Sequence, residues 1–330
     1  MKKIFALLLL LSFSAVYALN CSVCKKKIRG QYLTDANKTV FCSKECFATT
    51  RPKCTKCNNP CINTYSFMKK PYCSEECVYA VSQCANCDHP TPRSFRIIIN
   101  PEARQKIFCP ACAVKPPCYY CSFPDKTTRL PDNRYICNDC RKTAVTSTAI
   151  IQQKVKKIRR KLSSMYGFDP HHHIELIILN LPELEKECQE IYRPASGSRI
   201  ALMRFNYVIN EKTTLRGRKK RRISQQRCRI FILKNTPEHL LEDAIAHELA
   251  HDYLRHNAGK VKDLAIEEGF AEAIAAEYNK TVNHPLVNIR KQNEKDPVYG
   301  GGYRKMSEYM QKNGFRKTVQ FIKSNSVPYL

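Results

Sequence analysis

The chain has 330 residues, of which 43% are hydrophobic, so it can bury at least one core and is not a wholly disordered protein. Its formal net charge of +27 favours acidic partners. The charge does not choose among nucleic acid, anionic lipid and an acidic protein. Because no aromatic-rich RNA-binding motif accompanies the basic residues, a solvated basic surface is the commoner explanation, and an acidic protein is favoured over nucleic acid as a partner.

Residues 1–20 have the pattern of a signal peptide. Lys2 and Lys3 precede an apolar run over 4–16, and Val16-Tyr17-Ala18 offers small residues at the positions that a signal peptidase reads. The run is too short for a comfortable membrane span. We predict an exported protein, periplasmic or secreted, with no membrane span after cleavage. The alternative is a membrane anchor formed by an uncleaved leader.

The cysteines between residues 21 and 140 form a fourfold repeat. Each unit contains two close pairs, and successive units start 33, 30 and 34 residues apart. Two thiolates on one tight turn reach the same metal ion, and a second pair completes a tetrahedron around zinc. We predict four tandem zinc units over 21–141, each with four cysteine ligands. These ligands are Cys21, Cys24, Cys42, Cys46, Cys54, Cys57, Cys73, Cys77, Cys84, Cys87, Cys109, Cys112, Cys118, Cys121, Cys137 and Cys140.

A disulfide framework is the alternative for these cysteines, because exported compartments oxidise thiols. The register of the pairs, repeated four times, favours metal. Cys61 is left over under either interpretation, and Cys188 and Cys228 are interpreted as buried apolar residues.

The cysteines nearly stop after Cys140, which predicts a second domain over 142–330. Its predicted elements, in order, are a helix at 143–164, a strand at 174–179, a helix at 182–192, strands at 198–210 and 228–234, and helices at 237–256, 262–279 and 302–323. Thr236 is predicted to cap the helix that follows it. Strands followed by helices indicate an α+β fold.

Two charged or metal-binding runs are interpreted as surface features. The histidines at 171–173 precede a strand, and their alternative role is a metal site. The basic residues at 216–222 lie between two predicted strands, where a solvated hairpin connection is favoured over a patch for nucleic acid or an acidic partner.

The segment His247-Glu248-Leu249-Ala250-His251 carries the chemistry. Residues four apart share one face of a helix, so the two histidines can hold one zinc ion, and Glu248 is suited to take a proton from a water molecule. The small and apolar neighbours predict a buried helix.

The next predicted helix supplies a third ligand. Glu268 is the first choice and Glu267 is its rival, while Glu272, one turn later, is suited to accept the N–H of a ligand histidine. Gly269 is expected to let this helix approach the first one closely. An oxyanion stabiliser is also needed, and Tyr299 is the first candidate. Tyr303, His256 and His284 are the others.

These residues predict a zinc-dependent endopeptidase whose cysteine units recruit substrate or a partner. It would hold one catalytic and about four structural zinc ions. The alternative is a zinc-finger adaptor or a nucleic-acid-binding protein with an inactive peptidase domain. The intact Glu248 argues against an inactive domain.

The glutamate–glycine pair at 268–269 resembles the gluzincin class of peptidases. More specifically, the chain resembles the plant DA-one family, which joins a LIM-type zinc module to a C-terminal metallopeptidase domain and is activated by ubiquitin. The similar segments are 117–121, 132–140, 246–254, 267–269 and 296–304.

This resemblance implies a zincin-like domain after LIM-like or treble-clef-like units. It also implies that His247, His251 and Glu268 are ligands and that Glu248 is the base. The chain differs from the family in its all-cysteine ligands and longer spacers between units, so neither ubiquitin activation nor the family's substrates are carried over.

Overall fold

The computed structural model describes residues 3–4, 19–91, 94–168, 173–189, 200–213 and 219–327, and at 3–4, 206–213 and 219–227 it describes the backbone alone. Contacts divide the chain into two compact units, Met1–Ile98 with Gln105–Val114, and Ile99–Arg104 with Lys115–Leu330. The predicted domain limits at residues 20 and 141 are not tested by this division and stay predictions.

Three short hairpins, each followed by a helix, make up most of the first unit. Its elements are β1 (Lys3–Ile4), β2 (Leu33–Thr34), β3 (Val40–Phe41), α1 (Lys44–Thr49), β4 (Thr64–Phe67), β5 (Lys70–Tyr72), α2 (Glu75–Tyr79), β6 (Arg96–Ile99), β7 (Gln105–Phe108) and α3 (Pro110–Ala113). Strands β2 and β3 pair, as do β6 and β7, while β1, β4 and β5 form one small sheet. The last residue of β6 belongs to the second unit.

The repeated Cys-Ser-x-Glu-Cys text has a local structural cause. Ser43 and Ser74 adopt extended backbone at the helix starts, and their hydroxyls accept hydrogen bonds from the backbone N–H groups of Cys46 and Cys77. Each cap therefore fixes the second cysteine of a pair on the first turn of its helix, beside the cysteine that ends the hairpin.

The second unit begins with a fourth hairpin and helix and continues into an α+β arrangement. Its elements are β8 (Thr127–Arg129), β9 (Tyr135–Cys137), α4 (Asn138–Lys142), β10 (Ala144–Val145), α5 (Thr148–Tyr166), β11 (Ile174–Leu179), α6 (Leu181–Gln189), β12 (Ala201–Thr213), β13 (Lys219–Leu233), β14 (Thr236–Pro237), α7 (Glu238–Asn257), β15 (Lys260–Val261), α8 (Leu264–Thr281), α9 (Pro285–Asn293), a π-helical turn (Pro297–Gly301), α10 (Gly302–Ser324) and β16 (Ser326–Val327). In the main sheet β13 lies between β11, to which it is parallel, and β12, to which it is antiparallel. The α+β prediction is confirmed.

Helix α5 shows why its sequence folds as it does. The Ser147 side chain accepts from the N–H of Ile150 at the start, and Gly167 ends the helix in the left-handed region at φ 72°. The apolar residues at helical spacing are buried and join one core with α7, α8 and α10.

Two predictions about these elements are wrong. Thr236 does not cap α7, because its hydroxyl donates to the carbonyl of Leu233 at 2.6 Å and Pro237 holds the cap position. Helix α9 is absent from the predicted elements, so four helices rather than three follow the sheet in the part of the chain that the structure describes.

Several sequence predictions fall on residues that are not described. The signal peptide, 1–20, lies outside the described residues except at 3–4 and 19–20, and so do His171, His172 and the part of the basic run at 216–218. His173 is described and lies exposed just before β11. Among the helices that the structure describes, none has the length and apolar character that crossing a membrane requires.

Candidate active site

All sixteen paired cysteines gather into four groups of four, as the repeat predicts. Within each group the Sγ atoms lie no more than 4.8 Å apart. Representative Sγ–Sγ distances are 3.5 Å for Cys24 and Cys42, and 3.6 Å for Cys121 and Cys137. A disulfide would require about 2.05 Å, whereas a tetrahedral zinc with bonds of about 2.3 Å places its sulfurs about 3.8 Å apart. The groups are therefore able to bind zinc.

The fourth group differs from the others in its surroundings. All four of its cysteines are buried, whereas each other group has exposed or half-buried members. Next to it, the hydroxyl of Tyr120 donates to the carbonyl of Lys234 at 3.3 Å, and Arg134 donates to the same carbonyl at 2.9 Å. The fourth group is thus tied to the loop that connects the main sheet to α7.

Helices α7 and α8 bring a compact set of metal-binding atoms together. They run antiparallel, because Tyr278 contacts Glu242 at one end and Glu268 contacts His251 at the other. The Nε2 atoms of His247 and His251 are 3.0 Å apart, and Oε2 of Glu268 lies 3.2 Å from the first and 3.3 Å from the second. Zinc bonds of about 2.0–2.2 Å correspond to donor separations of about 3.4 Å around a tetrahedron. The three atoms fit a zinc ion.

The other nitrogens of the two histidines face different carboxylates. Glu272 lies 3.2 Å from Nδ1 of His247, at the position expected of a hydrogen-bond acceptor for a ligand histidine. Glu267 lies 3.6 Å from Nδ1 of His251 and so faces away from the Nε2 pair. This geometry favours Glu268 over Glu267 as third ligand, and the assignment stays a prediction.

A buried lysine that the sequence does not single out supports Glu272. Lys291 of α9 is 8% exposed. Its ammonium group donates to Glu272 and, at 2.9 Å, to Asp243 of α7. Burial alone would raise the pKa of Glu272, but the charges of Lys291 and His247 lower it to about 2, so this carboxylate is ionised.

The pKa values of the central groups follow from the same balance of burial and charge. Burial alone would lower the pKa of His251, but Glu268 and Glu267 raise it to about 9. Burial raises the pKa of Glu248 above its ordinary value, and the two neighbouring histidines oppose that rise. Glu248 thereby becomes a stronger proton acceptor than a solvent-exposed glutamate.

A cavity of about 470 Å³ opens over these residues. Its walls include β12 from Ala201 to Phe205, helix α7, and both Tyr299 and Tyr303. The other two oxyanion candidates lie elsewhere. His256 bonds to the backbone carbonyl of Asp252, and the Nε2 of His284 lies 3.9 Å from Glu242.

Gly269 does permit a close approach, but between a different pair of helices. A Cβ built on Gly269 would lie 2.3 Å from the carbonyl oxygen of Gly302, at the start of α10. The glycine therefore lets α8 contact the backbone of α10. The prediction that it serves the contact between α7 and α8 is wrong.

The chain is similar to one curated plant protein. Protein DA1-related 7 of Arabidopsis thaliana is 20% identical over an alignment of 362 positions, gaps included, that covers 93% of the chain and 59% of that protein. The chain thus spans less than two thirds of the length of the relative it matches. No protein-family model matches the chain, and no solved structure matches it significantly. The similarity supports a relation to DA1-like proteins and does not establish the peptidase class.

Proposed function

We propose that the chain is a zinc-dependent endopeptidase with Glu248 as its general base. One observation carries this proposal. Three ligand atoms at zinc-binding separations, from His247, His251 and Glu268, stand in a cavity that Glu248 also lines. Zinc bound there would act as a Lewis acid that lowers the pKa of a water molecule.

Glu248 is suited to the proton transfers of peptide hydrolysis. Its carboxylate receives a backbone hydrogen bond from Met203 of β12, which orients it, and burial raises its pKa. A carboxylate in this state takes a proton from the attacking water and returns it to the departing amine. Because Glu248 follows His247 directly on α7, it is held next to the ligand atoms by the helix itself.

Strand β12 offers a binding edge for a peptide substrate. It is an edge strand of the described sheet, with β13 on one side, and its residues from Ala201 to Phe205 line the cavity. An extended peptide can add to such an edge through backbone hydrogen bonds.

Two tyrosines are suited to stabilise the oxyanion. Tyr299 and Tyr303 both line the cavity, and burial raises the pKa of Tyr303, so that its hydroxyl stays protonated and able to donate. We assign this role to Tyr299, the more accessible of the two.

The remaining parts of the proposal concern partners and location. The cysteine units recruit a protein substrate or an acidic protein partner to a chain of net charge +27. Residues 1–20 direct export to the periplasm or the medium. Sequencing the N-terminus of the mature protein tests the second statement, because an intact Met1 would contradict cleavage.

Zinc counting and hydrolysis together test the central proposal. We expect five zinc ions per chain, one for each ligand group, and four in His247→Ala. Glu248→Gln should keep all five and lose cleavage of an unfolded protein substrate, by about 10²-fold or more. Glu268→Gln should lose one zinc ion, whereas the matched variant Glu267→Gln should keep it.

The opposite results would exclude the proposal. A zinc count unchanged in His247→Ala would remove the metal site. Full zinc content without any hydrolysis in the wild-type chain, across a broad peptide library, would favour an adaptor with an inactive peptidase domain.

A further inference from the structure

Helix α9 lies against both kinds of candidate metal site in the second unit. One of its residues, Arg290, donates through Nη1 to the backbone carbonyl of Tyr120 at 2.6 Å. Tyr120 stands between Cys118 and Cys121, on the turn that carries the first cysteine pair of the fourth group. The next residue, Lys291, points to the other site.

The chain of contacts from Lys291 ends at a histidine ligand. Its ammonium group bridges Asp243 of α7 and Glu272 of α8, and the Glu272 carboxylate lies 3.2 Å from Nδ1 of His247. An acceptor at Nδ1 fixes the ring orientation and the tautomer that leaves Nε2 free to bind metal. Glu272 can do this only while its carboxylate keeps one orientation, and the ion pair with Lys291 fixes that orientation.

Among the lysines whose side chains the structure describes, Lys291 is the most buried. A lysine is almost never fully buried unless it is paired, because the ammonium group loses its favourable hydration when it leaves water. Lys291 is 8% exposed, and both of its carboxylate partners flank the His247 turn. By contrast, Lys280, which pairs with Glu277 on α8, is exposed at 62% of its side-chain surface. That second pair is a surface contact of little energetic weight.

We propose that Lys291 is a positioning residue for the His247 ligand, and that Arg290 anchors the same helix on the fourth cysteine group. The inference rests on the proposed function, since it assigns Lys291 a role at that metal site. It also predicts that the two metal centres of the second unit are coupled through α9. Neither residue binds zinc.

Zinc affinity at the histidine site tests this role without recourse to activity. The number of zinc ions bound per full-length chain is measured as a function of the free zinc concentration, which a chelator buffers. The binding step that disappears from this titration in His247→Ala belongs to the histidine site. Lys291→Met should weaken that step about 10–100-fold, as the loss of residues that orient a ligand typically does. Arg290→Met should weaken it severalfold. The matched control Lys280→Met, which removes an exposed lysine pair, should leave it unchanged.

Two further variants separate positioning from folding. Lys291→Arg keeps the charge and should recover most of the affinity. If the second unit of Lys291→Met does not fold, as shown by loss of the zinc ion of the fourth cysteine group, which lies in that unit, Lys291→Met/Asp243→Asn removes one buried charge of each sign and should fold with the same weak zinc step. An affinity within about twofold of wild type in a folded Lys291→Met or double variant would overturn the inference alone. No loss of zinc in His247→Ala would overturn the proposed function and the inference together.

Discussion

Replacement of Gly269 by alanine tests the contact that places Glu268 and Glu272 against α7. The new Cβ would lie 2.3 Å from the oxygen and 2.4 Å from the carbon of the Gly302 carbonyl, both backbone atoms at the start of α10. Overpacking costs about 1–3 kcal/mol, and the upper end applies because a backbone cannot turn aside as a side chain can. The higher helix propensity of alanine relative to glycine offsets about 1 kcal/mol of this cost. We therefore expect Gly269→Ala to lower the free energy of unfolding by about 2 kcal/mol or more.

Urea denaturation of the zinc-loaded chain, followed by far-UV circular dichroism, measures this change. Gly301→Ala is the matched control, because its Cβ would meet nothing closer than the Asp296 carbonyl oxygen at 3.8 Å, an ordinary contact. The control should stay within about 1 kcal/mol of wild type. If Gly269→Ala were as stable as Gly301→Ala, α8 and α10 would not be in backbone contact, and the placement of α8 would be wrong.

Three further predictions follow from individual contacts. Cys121→Ser should speed amide hydrogen exchange throughout α7, because the group of Cys121 is fully buried in the same unit as α7. Cys57→Ser, in the other unit, should leave exchange in α7 unchanged. Equal exchange rates of α7 in the two variants would contradict the difference between the groups. Asp132→Asn should lower the free energy of unfolding, measured by urea denaturation, by about 3–5 kcal/mol, because the buried guanidinium of Arg134, which donates to Asp132 at 2.7 Å, loses its charged partner. A decrease below about 1 kcal/mol would refute that pairing. Tyr299→Phe should lower kcat about 10²-fold with little change in KM, and Tyr303→Phe much less; the reverse order would transfer the oxyanion role to Tyr303.

Local rules are sufficient for much of the fold. Apolar spacing predicts α5, although its first turn begins at Thr148 rather than 143, because Ser147 supplies the cap. The strand at Ile174–Leu179 is predicted at its observed limits, since it is a short apolar run between polar segments. Spacing alone also predicts the four cysteine groups and the shared face of His247 and His251.

Contacts between distant elements are beyond sequence reasoning. Helix α9 has a largely polar sequence, and its one buried cation is stabilised by carboxylates 48 and 19 residues away along the chain. A lysine in such a sequence is interpreted as a surface residue until Asp243 and Glu272 are seen beside it. The same holds for Gly269, whose close partner, Gly302, lies on a helix that no local signal links to α8. The missing signal in both cases is tertiary packing.

The four cysteine groups share their ligands and spacing, yet their surroundings differ because of the residues between the ligands. The first turns read Cys-Ser-Val-Cys, Cys-Thr-Lys-Cys and Cys-Ala-Asn-Cys, whereas the fourth reads Cys-Tyr-Tyr-Cys. Tyr120 is 1% exposed and reaches the loop before α7, and its carbonyl accepts from Arg290. Aromatic residues of this kind provide a large apolar surface together with a polar group that finds a partner when buried. Cysteine spacing therefore specifies a group that is able to bind zinc, and in the fourth group Tyr120, between the first two cysteines, joins that group to the unit that carries His247.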